Sequence, residues 1–134
     1  MSQANVDAVL RSFDAWNRGD FEGWIESCHP DMEWSPATAR GLEGSEGTYQ
    51  GRAELKRFWD QSHDVWNVQA RVTEVRDLGD RALAFAQTRR TGKTSGVDLE
   101  QTLVYVFEFE DGLARRAAGY LTPGEALAAV GLTE

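Results

Sequence analysis

Two runs late in the chain, Leu99 to Phe109 and Leu113 to Leu121, alternate apolar and polar residues on either side of Asp111-Gly112. Alternation with a period of two marks strands with one buried face, and Asp-Gly between two such runs is a strong hairpin signal. The second run leads into Thr122-Pro123-Gly124-Glu125. There Thr122 can cap a helix with Pro123 at its first position and Glu125 at its third, and Gly131 supplies a stop after Ala126 to Val130. A curved antiparallel sheet capped by helices is the expected frame, and what the sheet encloses decides the function.

With 134 residues and 14.9 kDa, the chain reads as one domain over 1–134, large enough to bury roughly two thirds of its unfolded surface. Its net charge of -8 repels phosphate backbones and anionic lipid, so neither nucleic acid nor a membrane is an expected partner. The lone cysteine, Cys28, has no internal disulfide partner. No apolar run approaches the roughly 20 residues of a membrane-spanning helix, and the first residues lack the basic start and apolar stretch of a signal peptide. A cytoplasmic location is the expectation.

Val6, Val9, Leu10, Phe13 and Trp16 recur at helical spacing. Asn17-Arg18-Gly19-Asp20 then reads as a stop followed by a new cap, and Phe21, Trp24, Ile25 and Cys28 continue on a shorter helix that ends before Pro30. Met32 to Pro36 is predicted to be a short extended segment entering the sheet at an edge. Residues 37–50, with Gly41, Gly44 and Gly47, are predicted to form a lid-like loop. Gly51 opens a third helix with Leu55, Phe58 and Trp59 inside. Val68 to Leu78 and Arg81 to Arg90 read as two long strands, and a polar connection spans Thr91 to Gly96. The resulting class is α+β, a strongly curved antiparallel sheet wrapped around about three N-terminal helices, with a short C-terminal helix. Such a cone can admit a small molecule at its open end.

At this level of detail the chain resembles the SnoaL-like branch of the NTF2-like (ketosteroid isomerase-like) superfamily. The resemblance is carried, in order, by Trp16-Asn17-Arg18-Gly19-Asp20, His29-Pro30-Asp31-Met32-Glu33-Trp34, Gly47-Thr48-Tyr49-Gln50-Gly51, Leu78-Gly79-Asp80-Arg81, Ser95-Gly96-Val97-Asp98, Asp111-Gly112 and Glu125-Ala126-Leu127. It implies an NTF2-like cone, usually dimeric through the outer sheet faces, and leaves activity open, because relatives include cyclases, isomerases, hydrolases and binding modules. Matched to the ketosteroid isomerase pattern, Ser12 falls at the oxyanion-hole tyrosine, Ser35 at the proton-abstracting aspartate and Tyr105 near the second oxyanion donor. A serine does not replace that base unaided. The family cyclases carry an acid near the end of the last strand, where this chain has Gly119-Tyr120-Leu121-Thr122.

In the register the resemblance implies, Leu83, Phe85, Gln87 and Arg89 face inward and Ala82, Ala84, Ala86 and Thr88 outward. On the next strand Leu99, Gln101, Leu103, Tyr105, Phe107 and Phe109 face in, and on the last Ala117, Gly119 and Leu121. The expected ligand-binding residues are therefore Trp34, Trp59, Phe85, Gln87, Arg89, Gln101 and Tyr105. Trp34, Trp59, Trp66 and His63 are expected to close the mouth, against ordinary core packing for the tryptophans. Trp16 and Trp24 are assigned to the core. Arg89 reads as a clamp for a carboxylate or phenolate, or as the solvated end of a strand. His63 and Glu33 are the candidates for proton transfer, against an exposed or capping histidine and a surface carboxylate. No residue spacing fits a metal set or a phosphate cradle, so no cofactor is expected.

Two functions compete. One is a binder of a small apolar or cyclic, polyketide- or steroid-like molecule, with isomerase, cyclase or hydrolase chemistry that needs no cofactor. The other is a non-catalytic dimerisation or interaction module whose cone is filled by its own side chains. Val104, Val106, Thr102 and Ala84, read as a flat apolar outer face, predict a homodimer.

Overall fold

A computed structural model of the chain describes residues 3–37 and 48–131. The apolar stripe at helical spacing folds as α1 (Gln3–Arg18), and Gly19, at φ 75°, takes the left-handed backbone that ends a helix at little cost without a Cβ. Asp20 then caps α2 (Phe21–Ile25), its Oδ1 accepting from Gly23 N at 3.0 Å. The chain continues through β1 (Cys28–Ser35), β2 (Tyr49–Gln50), α3 (Gly51–Val65), β3 (Trp66–Asp77), β4 (Arg81–Gly92), β5 (Asp98–Glu110), β6 (Leu113–Tyr120) and α4 (Pro123–Ala129). Asp111 and Gly112 both have positive φ, 55° and 79°, as the two-residue turn between β5 and β6 requires. Thr122 Oγ1 accepts from Glu125 N at 3.2 Å and starts α4. The predicted 37–50 loop lies mostly outside the described residues.

The six strands form one sheet in the order β2-β1-β6-β5-β4-β3, antiparallel except for β1 against β6. The α+β cone is the observed architecture, with α1, α2 and α3 in the concave face and α4 on the convex one. Bulges bend the strands around the helices. One leaves Thr73 of β3 between the pairs Val72↔Ala86 and Glu74↔Phe85, and another leaves Arg115 of β6 between Arg116↔Glu108 and Ala114↔Phe109. The concave core joins Val9, Trp24, Leu55 and Trp59 to Met32, Phe107 and Ala117.

Three expectations are corrected. The extended segment at Met32 is not an edge: β1 has eight residues and lies between β6 and the two-residue β2, which itself forms the margin. The second helix stops at Ile25, and Cys28 already belongs to β1. The third correction concerns β4, whose faces are exchanged. Ala82 and Ala84 belong to the concave core, whereas Leu83 packs under Ala126, Leu127 and Val130 of α4. The cause is the ladder itself. Ala82 lies opposite Phe107 and Ala84 opposite Tyr105, directly opposed residues share a face, and wide rings from β5 leave room only for methyl groups on β4. The outer apolar face is accordingly built from Leu83, Val104 and Val106 and is covered by the chain's own α4.

The open edge at β3 is covered from the helix layer. Asn17 Nδ2 donates to Ala70 O at 2.7 Å, Ala70 N donates to Asn17 Oδ1 at 2.9 Å, and Trp16 Nε1 donates to Val68 O at 3.0 Å. The end of α1 thus occupies backbone groups that an edge strand otherwise offers to another chain. Among the described residues no helix is long and apolar enough to cross a membrane.

Candidate ligand-binding site

A cavity of about 450 Å³ lies between the helices and the concave face, within the size range of small-molecule sites. Its walls are mostly apolar. β5 contributes Leu103, Tyr105, Phe107 and Phe109, β6 contributes Ala114 and Ala117, and the helices contribute Val9, Phe13, Trp16, Trp24 and Phe58. Rings interlock at its centre. Tyr105 stacks on Trp34 at 6.0 Å and 20°, and the edge-to-face partner of Tyr105 is Phe13 at 5.2 Å.

Few polar groups reach this space. Ser12, Ser27, Cys28, Gln61, Ser62 and Tyr49 line it, along with Tyr105 and Arg90. Burial pushes the Tyr105 phenol up to about 12, with the Arg90 charge opposing the rise. Burial also pushes the Cys28 thiol up to about 12, which keeps it protonated and unreactive at neutral pH. Arg90 is a half-buried cation whose own pKa burial lowers against the opposing influence of Tyr105. Its guanidinium stands 5.5 Å from the centre of the Trp66 ring, another lining residue. Among the described residues, the Nε of Arg90 and the Nε1 of Trp34 are buried with no hydrogen-bond partner. Among the described lining residues there is no carboxylate and no imidazole.

The residues expected from the sequence divide sharply. Trp34 and Tyr105 line the cavity. Phe85, Gln87 and Arg89 are on the other side of the sheet: Arg76 covers the Phe85 ring at 4.8 Å, Arg71 donates to Gln87 Oε1 at 2.5 Å, and Arg89 makes two bonds to Asp98, of 3.0 and 2.7 Å. Gln101 stands exposed beside Thr88, whose hydroxyl donates to the Gln101 carbonyl at 3.1 Å. Trp59 is buried beneath the cavity against Phe21, Trp16 and Trp24. His63 stacks on Trp59 at 4.3 Å and its Nδ1 donates to Trp59 O at 2.8 Å, so it is a packing histidine outside the lining. Glu33 faces Arg115 and Arg116 at 3.7 and 3.5 Å, away from the cavity. Ser12 lines the cavity, while Ser35 bonds to the Thr48 hydroxyl at 3.0 Å.

Sequence reasoning placed the cationic residue one position early. Arg89 and Arg90 point to opposite faces of β4, and it is Arg90 that enters the cone. Trp16 and Trp24, assigned to the core alone, also form cavity wall.

The SnoaL-like domain model matches residues 9–117, which include β1 to β5 in full and all but the last three residues of β6. The chain belongs to the SnoaL-like family. Among solved structures, this SnoaL-like domain is similar to an NTF2-like protein of unknown function from Burkholderia pseudomallei, at 23% identity over 98% of this chain and 99% of that one, with a TM-score of 0.80. TerC, co-crystallised with polyporic acid, is similar at 26% identity, covering 97% of this chain and 98% of that chain with a TM-score of 0.79. A polyketide cyclase assignment accompanies a structure from Xanthomonas campestris that is 22% identical, covering 96% and 98%, with a TM-score of 0.76. No curated protein matches the chain.

Proposed function

We propose that this SnoaL-like domain binds a small, largely apolar ring compound inside its cone. The observation that carries the reading is the 450 Å³ cavity itself, walled by aromatic and aliphatic side chains with a few convergent polar groups. TerC, co-crystallised with polyporic acid, supports a small organic ligand for a protein of this fold. The cavity also opposes the competing reading, an interaction module whose cone is filled by its own side chains.

Chemistry in such a site follows from what its walls offer. Tyr105, Arg90 and Ser12 are hydrogen-bond donors, and the described lining supplies no general base. The arrangement favours holding a ligand, and stabilising negative charge on it, over abstracting a proton from it. Isomerase-, cyclase- or hydrolase-type turnover without a cofactor then draws its acid or base from the ligand or from water. A homodimer is part of the same proposal, seated on the outer face beyond α4 where Phe85, Gln87, Thr102 and Ala118 remain at least partly exposed. A monomeric mass by light scattering at micromolar concentration removes that component.

The test of the binding reading uses a neutral apolar fluorophore, N-phenyl-1-naphthylamine. Its emission should rise and saturate at one molecule per chain, and native mass spectrometry of the purified protein should hold the same 1:1 adduct. Absence of saturable binding overturns the reading.

A further inference from the structure

Arg90 presents a chemical problem that the rest of the protein does not solve. A guanidinium keeps its charge at any physiological pH, and removing it from water is costly unless an anion or several acceptors compensate. Other arginines of the sheet find such partners even where water reaches them: Arg89 with Asp98, Arg115 with Glu33 and Glu110, Arg116 with Glu33 and Glu108. Among the described residues no carboxylate lies within ion-pair distance of Arg90, its Nε is orphaned, and its contact is the face of Trp66. Trp34 contributes a second buried N–H without an acceptor, and Tyr105 between them contributes a hydroxyl. Beside the serine, glutamine and tyrosine groups already named, the described walls therefore hold a cation and no anion.

We propose that Arg90, with Tyr105 beside it, forms a subsite for a single anionic oxygen group on the ring compound, a carboxylate, phenolate or enolate, so that the cone selects acidic ring compounds over neutral ones of the same shape. The inference rests on the reading of the cavity as a binding site and adds the charge of its ligand. Arg89 does not share the role, because the strand pleat sends it to the opposite face and Asp98 already neutralises it.

A matched ligand pair tests the subsite by calorimetric titration at neutral pH: 2-naphthoate, which carries the anion, and 2-naphthamide, its neutral isostere. The wild-type protein is expected to bind 2-naphthoate at least about tenfold more tightly, the ratio a charge-assisted hydrogen bond supplies. Arg90→Met should reduce that preference to near unity while leaving 2-naphthamide affinity within about twofold, and Arg89→Met should leave the preference intact. Arg90→Lys, which keeps the charge and loses the planar fork, should retain part of it, and covers the case in which Arg90→Met does not fold. Equal wild-type affinity for the two ligands, or a preference that survives Arg90→Met, overturns the subsite and leaves the apolar cavity standing. Failure of both ligands and of N-phenyl-1-naphthylamine to bind removes the cavity reading and the subsite together.

Discussion

Gly119 of β6 lies directly across the ladder from Tyr105 of β5, and a Cβ at position 119 would stand 3.3 Å from Cε1 of Tyr105 and 3.0 Å from the backbone nitrogen of Ala37. The glycine is what lets the Tyr105 ring lie flat against the sheet and stack on Trp34. Gly119→Val is therefore expected to destabilise the fold by about 1–3 kcal/mol, the cost of overpacking, and to displace Tyr105. Urea denaturation measures the first effect, and loss of N-phenyl-1-naphthylamine binding in the folded variant measures the second. A variant as stable as wild type with unchanged binding contradicts the close approach.

Asn17 should prove a structural residue of the first rank despite its place at a helix end. Its amide satisfies both backbone groups of Ala70 on the sheet margin. Removing it leaves those two groups without the side chain that pairs them, so Asn17→Ala should cost about 1–3 kcal/mol. Hydrogen exchange at the Ala70 amide should accelerate with it; an unchanged exchange rate would show that the pairing contributes nothing.

The cavity also sets the behaviour of the protein in alkali. Tyr105 and Cys28 are both held protonated by burial, each pushed up to about 12, so the folded state binds protons that the unfolded chain has lost. Their contribution is complete below the ordinary thiol and phenol values, near 9.0 and 10.0, and disappears as the pH rises toward about 12. Stability should fall by several kcal/mol over that window. Cys28→Ala is expected to delay the onset, and Tyr105→Phe to flatten the steeper upper part. At neutral pH the Cys28 thiol should react with a disulfide reagent far more slowly than a free thiol, because so little of it is thiolate; labelling of the native protein at the rate of a free thiol contradicts the raised pKa.

Leu127 of α4 is 6% exposed and seals Leu83 and Val104, each 0% exposed, on the convex face. Leu127→Ala should cost about 2–4 kcal/mol through the void it leaves. Because α4 does the covering, the same variant should bind a surface-hydrophobicity dye more strongly without any change in the affinity of the cone for 2-naphthoate. A loss of ligand affinity equal to the loss of stability places α4 in the site and refutes this division.

Most of the architecture was legible because hairpin turns, caps and alternation are local. Asp111-Gly112, Thr122-Pro123 and Gly19-Asp20 fall where the sequence puts them, since each needs only a particular φ or a side-chain oxygen at a fixed offset. The assignment of faces on β4 was not legible from the strand alone. Alternation alone leaves the two sets interchangeable, and the register that the resemblance implies put Leu83 and Phe85 inside in place of Ala82 and Ala84. What decides the matter is the partner strand: Tyr105 and Phe107 fill the cone, so their opposite numbers must be small. One wrong parity on β4 moved the expected cation from Arg90 to Arg89 and brought Gln87 and Phe85 with it. His63 misled for a different reason, because its i−4 carbonyl takes Nδ1 and two indoles pack its ring, and none of these is visible in spacing.

The bulges at Thr73 and Arg115 act as phase switches in the walls of the cone. Ala114 and Ala117 both face the cavity although they stand an odd number of positions apart, and Val75 packs against the concave core although cavity-lining residues of β3 before Thr73, such as Val68 and Ala70, are even-numbered. Each affected strand is thus written in two reading frames, joined at a single unpaired residue. Deleting that residue would leave every other side chain on its own face and remove only the bend, whereas deleting or inserting one in a regular stretch, with no bulge to absorb it, would turn the rest of the strand inside out. For a cone of this kind, lineages that gain or lose one residue in a strand can exchange the whole chemistry of a wall in one event, a change that point substitution would need many steps to match.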